Sequence, residues 1–198
     1  MMLKIFLLNS RLGGTLRVRL ATLFCVVFFS VGIPPAYAMQ QPAVESTAMV
    51  IPKNLQTVGQ GKYSYWFWDL YQAKLATPNG QFISYQQSTP LLLELSYLRN
   101  ISKKEFVDAT LDQWRIQAGK VQKQHKLWAG ELTGLWRDVK KGDTLSAELH
   151  SDGLISFYFN QEWLGNTKDP ALGPAFFDIW LSEKTTAPAL RQQLLALP

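Results

Sequence analysis

The residue types that could do chemistry gather in one stretch, GQGKYSYWFWDLYQAKL at 59–75. Six of the nine residues from Tyr63 to Tyr71 are aromatic. Large rings with polar tips make good walls for an apolar ligand. The competing reading is a bulky core, since aromatic side chains are often buried for packing. Elsewhere the chain is sparse in chemistry. His125 and His150 lie far apart with no ligand-spaced neighbour, so each reads as a surface histidine and no metal site is expected. G-x-S-x-G, a phosphate-binding glycine loop and H-E-x-x-H are all missing from the sequence. Gly59-Gln60-Gly61 is too short for a dinucleotide fingerprint and precedes a strand pattern, not a helix. The acids are scattered. No catalytic residue and no cofactor is assigned.

The N-terminus bounds what else the chain can be. Lys4, Arg11, Arg17 and Arg19 form a basic region without acids. The apolar run LATLFCVVFFSVGI follows at 20–33, and Ala36 and Ala38 then stand at an A-x-A site. This pattern predicts a secretory signal peptide over 1–38, cut after Ala38, and a periplasmic mature chain. The run of 14 residues is short of the roughly 20 that a spanning helix needs, so no stable membrane anchor is expected after cleavage. Four of the twenty basic residues and none of the fifteen acidic ones lie in 1–38, so the net charge falls from +5 to +1. A near-neutral chain has no electrostatic reason to hold nucleic acid. Cys25, the only cysteine, is removed too, and without it the mature chain has no disulfide. Oligomeric state is not readable from the sequence.

Residues 39–54, rich in Gln, Ala, Ser and Pro, read as a flexible leader, and 55–198 as one domain. Lys62 to Leu75 reads as a single long strand. Alternation puts Tyr63, Tyr65, Phe67, Asp69 and Tyr71 on one face, and Ser64, Trp66, Trp68 and Leu70 on the other. Both faces are apolar in the middle, which predicts a central strand covered on both sides, with Trp66, Trp68 and Leu70 as core. Pro78-Asn79-Gly80 is a turn, Gln81 to Tyr85 a short strand, and Leu91 to Leu98 another strand. Ser102-Lys103-Lys104-Glu105 is a capping box that starts a helix at Lys103, with Val107, Leu111, Trp114 and Ala118 as its apolar stripe. Lys120 to Lys126 reads as a solvated connection, and Leu127 to Trp136 as a short helix. Turns at Lys141-Gly142-Asp143 and Ser151-Asp152-Gly153 bound strands at Thr144–His150 and Leu154–Phe159, and a third strand lies around Trp163. Asp169-Pro170 reads as an N-cap followed by proline at the first helical position, and a last helix follows Thr186. Strands, a helix pair, strands and helices in that order predict an α+β domain with helices on one face of an antiparallel sheet.

The ordered set of segments resembles the chalcone isomerase-like family. GQGKYSYWFWDLYQAKL is similar to that family's first long strand, and LLLELSYLRNISKKEFVDA to its next strand and helix. KKGDTL, FYFNQEWLG, DPALGPAFFDIWL and PALRQQLL resemble its C-terminal half in the same order. The match covers about 55–197 and is most similar to the exported bacterial branch. The resemblance implies an open-faced β-sandwich, a large antiparallel sheet backed by a layer of helices with a cleft between. It implies one of two activities: cofactor-free closure of a chalcone to a flavanone, or fatty-acid binding. In both kinds of relative an arginine just after G-x-G faces the cleft. That position falls near Tyr63 here, with Lys62 beside it, and no arginine occurs between Leu55 and Leu98. Lysine supplies charge but not a bidentate fork. Tyr71 stands where the enzymes carry threonine, as the fatty-acid binders do.

The leading expectation is therefore an exported, non-catalytic protein that holds a small apolar or fatty-acid-like ligand. Tyr63, Phe67 and Tyr71 would line its cleft, and Lys62 or Arg99 would meet a polar head. One alternative is a cofactor-free isomerase or intramolecular lyase using a tyrosine for proton transfer. The other is an interaction module with a filled core.

Overall fold

In a computed structural model, which describes residues 51–198, six strands form one antiparallel sheet in chain order. They are β1 (Gln56–Tyr65), β2 (Trp68–Thr77), β3 (Leu91–Tyr97), β4 (Thr144–Leu149), β5 (Ile155–Phe159) and β6 (Glu162–Asn166). Two helix pairs join or follow them: α1 (Lys103–Ala118) and α2 (Lys123–Leu135), then α3 (Leu172–Leu181) and α4 (Pro188–Leu194). This is the α+β order expected. The expected signal peptide, 1–38, and most of the expected leader, 39–54, lie outside the described residues.

Register explains where the core sits. Leu75, Leu93, Ala147 and Phe157 oppose one another across β2 to β5, as do Leu91, Leu149 and Ile155 across β3 to β5. All seven are buried and form one cluster with Trp114, Trp128 and Leu132 of α1 and α2 and with Phe176, Phe177 and Trp180 of α3. The alternate positions carry a polar row, Lys74, Glu94, Ser146 and Tyr158, on the opposite face. A one-residue slip would exchange these rows, so burial pins the register.

α1 begins as its capping box requires. Ser102 Oγ accepts the Glu105 N–H, and Glu105 Oε2 accepts the Ser102 N–H at 2.7 Å. Gly119 ends it in the left-handed region, φ 77. Val107 and Trp114 are buried, while Ala118, the last of the expected stripe, is exposed. α2 starts at Lys123, inside the stretch read as a connection. α3 starts two residues beyond the expected proline position, because Asp169 Oδ1 accepts the Ala171 N–H and forms a local turn first.

Three expectations are corrected. Residues 62–75 are not one strand: the chain reverses at Trp66 and Phe67, with Tyr65 opposite Trp68. As a result β1 is an edge strand rather than a central one. Trp66 and Trp68 are exposed and Leu70 is only part-buried, so none of the three is core. Gln81 to Tyr85 forms no strand. Thr77 Oγ1 and Asn79 Oδ1 accept the Gln81 N–H, and Ser88 Oγ accepts the Ile83 N–H. Side chains take the donors that a ladder would use. His125 is buried rather than superficial, against the rings of Trp114 and Trp128 at 5.5 and 5.7 Å. Burial holds its pKa below the ordinary value, and its Nδ1 accepts the Gln122 N–H, which suits the neutral ring.

The G-x-G sequence has a packing role. Gly59, Gly61, Tyr63 and Tyr65 share the face of β1 turned toward the helices, where burial alternates with exposed Gln60, Lys62 and Ser64. A Cβ on Gly59 would collide with the backbone carbonyls of Gln193 and Leu194 in α4; one on Gly61 would meet the Gln193 side chain. Gly59→Ala is therefore expected to cost about 1–3 kcal/mol, the usual range for overpacking. Gly61→Ala should cost less, because Oε1 and Cδ of Gln193 can swing aside and only its Cβ, fixed to α4, stays too close. Urea midpoints of the two variants check the ordering; equal losses would contradict it.

Candidate functional site

The same geometry that brings α4 onto β1 leaves a space beside it. At the C-terminal end of α4, two glycines allow close approach. At its N-terminal end, Tyr63 and Tyr65 hold the helix off the strand. Between them lies a pocket of about 490 Å³, walled by Tyr63, Tyr65, Ile116 of α1 and Pro188, Ala189 and Leu190 of α4, with Lys62 and Ser64 at the strand edge. The opposite wall is held in place by Thr186, whose Oγ1 donates to Gln113 Oε1 of α1 at 3.0 Å. Arg191 Nε donates to the Leu181 carbonyl at 2.8 Å and fixes α4 to the end of α3.

Tyr63 is fixed from behind. Its ring stacks on that of Tyr71, its cross-strand partner, with centroids 5.2 Å apart. Tyr71 Oη accepts the Trp180 Nε1–H at 2.9 Å. From Tyr71 the ring contacts run through Tyr97, Phe106, Trp136, Phe176 and Trp180, at 5.0 to 6.0 Å, and so return to the same hydrogen bond. Burial pushes the Tyr71 hydroxyl well above its ordinary pKa, opposed in part by the Trp180 donor. Tyr63 is raised by burial and by neighbouring Tyr65, and Tyr97 by burial and Tyr71. These phenols are held protonated. That suits hydrogen-bond donation and opposes use as a base.

The five expected site residues do not converge. Lys62 and Tyr63 line the pocket, and Tyr71 backs it. Phe67 stands at the hairpin tip, 91% exposed, because the turn breaks the alternation that grouped it with Tyr63 and Tyr71. Arg99 is engaged elsewhere, its guanidinium 4.1 Å above the Trp68 ring. Lys62 Nζ donates to Asp69 Oδ2 at 2.7 Å, and Ser64 Oγ to the other carboxylate oxygen at 2.6 Å. The far wall, 186–190, carries no chemical signature in the sequence and was not foreseen.

A second polar cluster lies on the other sheet face. His150 Nε2 is 2.7 Å from Ser156 Oγ, and His150 Nδ1 is 3.7 Å from Glu148 Oε1. The order imitates a nucleophile, base and orienting acid. Yet the acid–base distance is beyond a hydrogen bond, Ser156 is fully buried, and its hydroxyl donates to Asn166 Oδ1. Tyr158 donates to Glu148 Oε2 at 3.0 Å. The cluster ties β4, β5 and β6 together. Among the described residues no group of three or more His, Cys, Asp or Glu side chains could hold a metal ion.

Comparison with known proteins places this geometry. The sequence profile described as chalcone isomerase-like matches residues 36–196. A crystal structure of a fatty-acid binding protein of Arabidopsis thaliana is similar over 74% of this chain and 89% of its own, with a TM-score of 0.56 and 11% sequence identity. At that identity the likeness is one of fold. No curated protein matches the sequence.

Tyr71→Phe is expected to destabilise the fold by about 1–3 kcal/mol, because it leaves the buried Trp180 indole N–H without an acceptor. It should also alter the alkaline limb. Folded-state tyrosine pKa values raised above 10 contribute stability that is full below pH 10 and is lost as pH rises beyond it, at up to about 1.4 kcal/mol per pH unit for each such group. Denaturant midpoints at pH 8 and pH 11 should fall less steeply for Tyr71→Phe than for the wild type; parallel losses would contradict the assignment.

Proposed function

The chain belongs to the chalcone isomerase-like family, and from that premise we propose that it binds a small apolar ligand with a polar head, of the fatty-acid type, in the pocket between β1 and α4. The observation that carries this reading is the pocket itself. Its volume of about 490 Å³ falls within the roughly 300–1,000 Å³ usual for small-molecule sites. Its walls are tyrosine rings and aliphatic side chains, interrupted by Ser64 and Thr186, with one cation, Lys62. The fatty-acid binding of the structural neighbour named above supports the choice of ligand class. The protonated state of Tyr63 and Tyr71 favours binding over proton abstraction.

In this reading the tail lies along Tyr63, Tyr65, Ile116 and Leu190, and the head reaches Lys62. Lys62 is already paired with Asp69, but an ammonium has three donors and can serve both. The head contributes modestly, since exposed pairs are worth about 0–1 kcal/mol. Arg99 takes no part, because it does not line the pocket and lies over the Trp68 ring instead. The N-terminal pattern supports export, with the mature chain beginning at Met39.

Native mass spectrometry and calorimetric titration with palmitate test the proposal. Ala189 is exposed at the pocket wall, so Ala189→Trp should fill the space, leave thermal stability intact and weaken uptake about tenfold or more, as expected for a blocked small-molecule site. Lys62→Ala should weaken palmitate a few-fold at most and leave hexadecanol unchanged. No uptake by the wild type, or uptake indifferent to Ala189→Trp, would refute the proposal.

A further inference from the structure

The hairpin that carries the pocket residues ends in a tip the pocket does not use. Trp66 and Phe67 occupy the turn and Trp68 opens β2; they are 71%, 91% and 58% exposed. Three consecutive large rings left in water are unusual, and exposed apolar groups gathered in one place mark interaction sites. Trp66 sits at φ 55, the left-handed region that a bulky residue disfavours and that glycine or asparagine would fill without strain. Its ring meets Phe67 edge-on at 6.4 Å. Arg99 covers Trp68, and below the tip the Asp69 carboxylate is gripped by Lys62 and Ser64. Strain retained by a residue poorly suited to turning the chain indicates that its side chain has another use.

The surroundings identify the partner. The segments 98–100 and 140–143 lie at this same end of the sheet. The Leu98 N–H bonds to the Leu70 carbonyl, the Lys141 N–H to Asn100 Oδ1, and the Gly142 N–H to the Tyr97 carbonyl. Arg99, Lys140 and Lys141 form no ion pair among the described residues. The nearby carboxylates are engaged: Asp69 as above, and Asp143 by the Lys140 N–H and by Asn160 Nδ2. Among the described residues no helix is long and apolar enough to cross a membrane. A protruding aromatic tip flanked by cations that form no ion pair among the described residues fits a soft, anionic surface, where tryptophan rings settle at headgroup level and Lys and Arg meet phosphate.

We propose that the β1–β2 tip docks the protein onto bilayers that carry anionic lipid, inserting Trp66, Phe67 and Trp68 at the interface with Arg99, Lys140 and Lys141 against the headgroups. The residues just below the tip, Lys62 to Tyr65, line the pocket, so docking would bring the pocket mouth to the lipid surface. That use of the tip rests on the ligand reading; docking itself does not.

Sedimentation of the mature chain with phosphatidylcholine vesicles, with and without phosphatidylglycerol, tests the proposal. Co-sedimentation is expected only with phosphatidylglycerol, and it should weaken as salt is added. Acyl-chain-brominated lipid should then quench tryptophan fluorescence. The double variant Trp66→Gly with Phe67→Ser should keep or raise thermal stability, since glycine relieves the left-handed strain. It should lose vesicle binding roughly tenfold or more, as removal of interfacial aromatic area requires. Palmitate uptake by the same variant should be unchanged, so failure of docking and failure of the pocket reading are told apart. Absence of binding by the wild type, full binding by the variant, or a tip-dependent dimer that ignores vesicles would each overturn the proposal.

Discussion

The hydrogen bond from Trp180 Nε1 to Tyr71 Oη, 2.9 Å long, is the contact on which the site depends. It joins the most apolar helix, α3, to the second strand. Both groups would be costly to bury unpaired. Together they close a circuit of aromatic contacts through Tyr97, Phe106, Trp136 and Phe176. Tyr63 stacks against one member of that circuit. The pocket wall is therefore an extension of the core, and a ligand there meets a surface already set by packing rather than one ordered on arrival.

The pocket follows from residue size along one face of an edge strand. Glycines at 59 and 61 let α4 approach; tyrosines at 63 and 65 keep it away. α4 covers the helix-side face of this edge strand at one end only. The same covering helix thus packs on the strand and frames the opening. Because burial raises the tyrosine pKa values, the chemistry offered is that of walls and donors.

Much of the frame was legible in the sequence, since it rests on local rules. The capping box at Ser102, the alternation of Leu91, Leu93, Leu95 and Tyr97, and the glycine turns at 142 and 153 all appear where those rules place them. The β1–β2 hairpin was hidden for an equally local reason. Its turn contains no Gly, Asn, Asp or Pro, and an unbroken aromatic run reads as strand. That misreading carried Phe67 to the wrong place and made core of exposed tryptophans. His125 was hidden because its partners are recognised only once α1 lies beside α2, although Trp128 at i+3 was one available sign. The pocket's second wall, 186–190, and the stacking of Arg99 on Trp68 are long-range contacts without motifs.

The central claim is that a ligand sits between β1 and α4 and not elsewhere on the molecule. Its most direct test is a palmitate titration followed by NMR, with methyl groups of Ile and Leu and the rings of Tyr labelled. Saturable shifts concentrated at Tyr63, Tyr65, Ile116 and Leu190, with the methyls of Leu149 and Ile155 in the distant core unmoved, are the predicted result. Shifts confined to the aromatic tip or spread through the core, or none at ligand excess, would contradict the account.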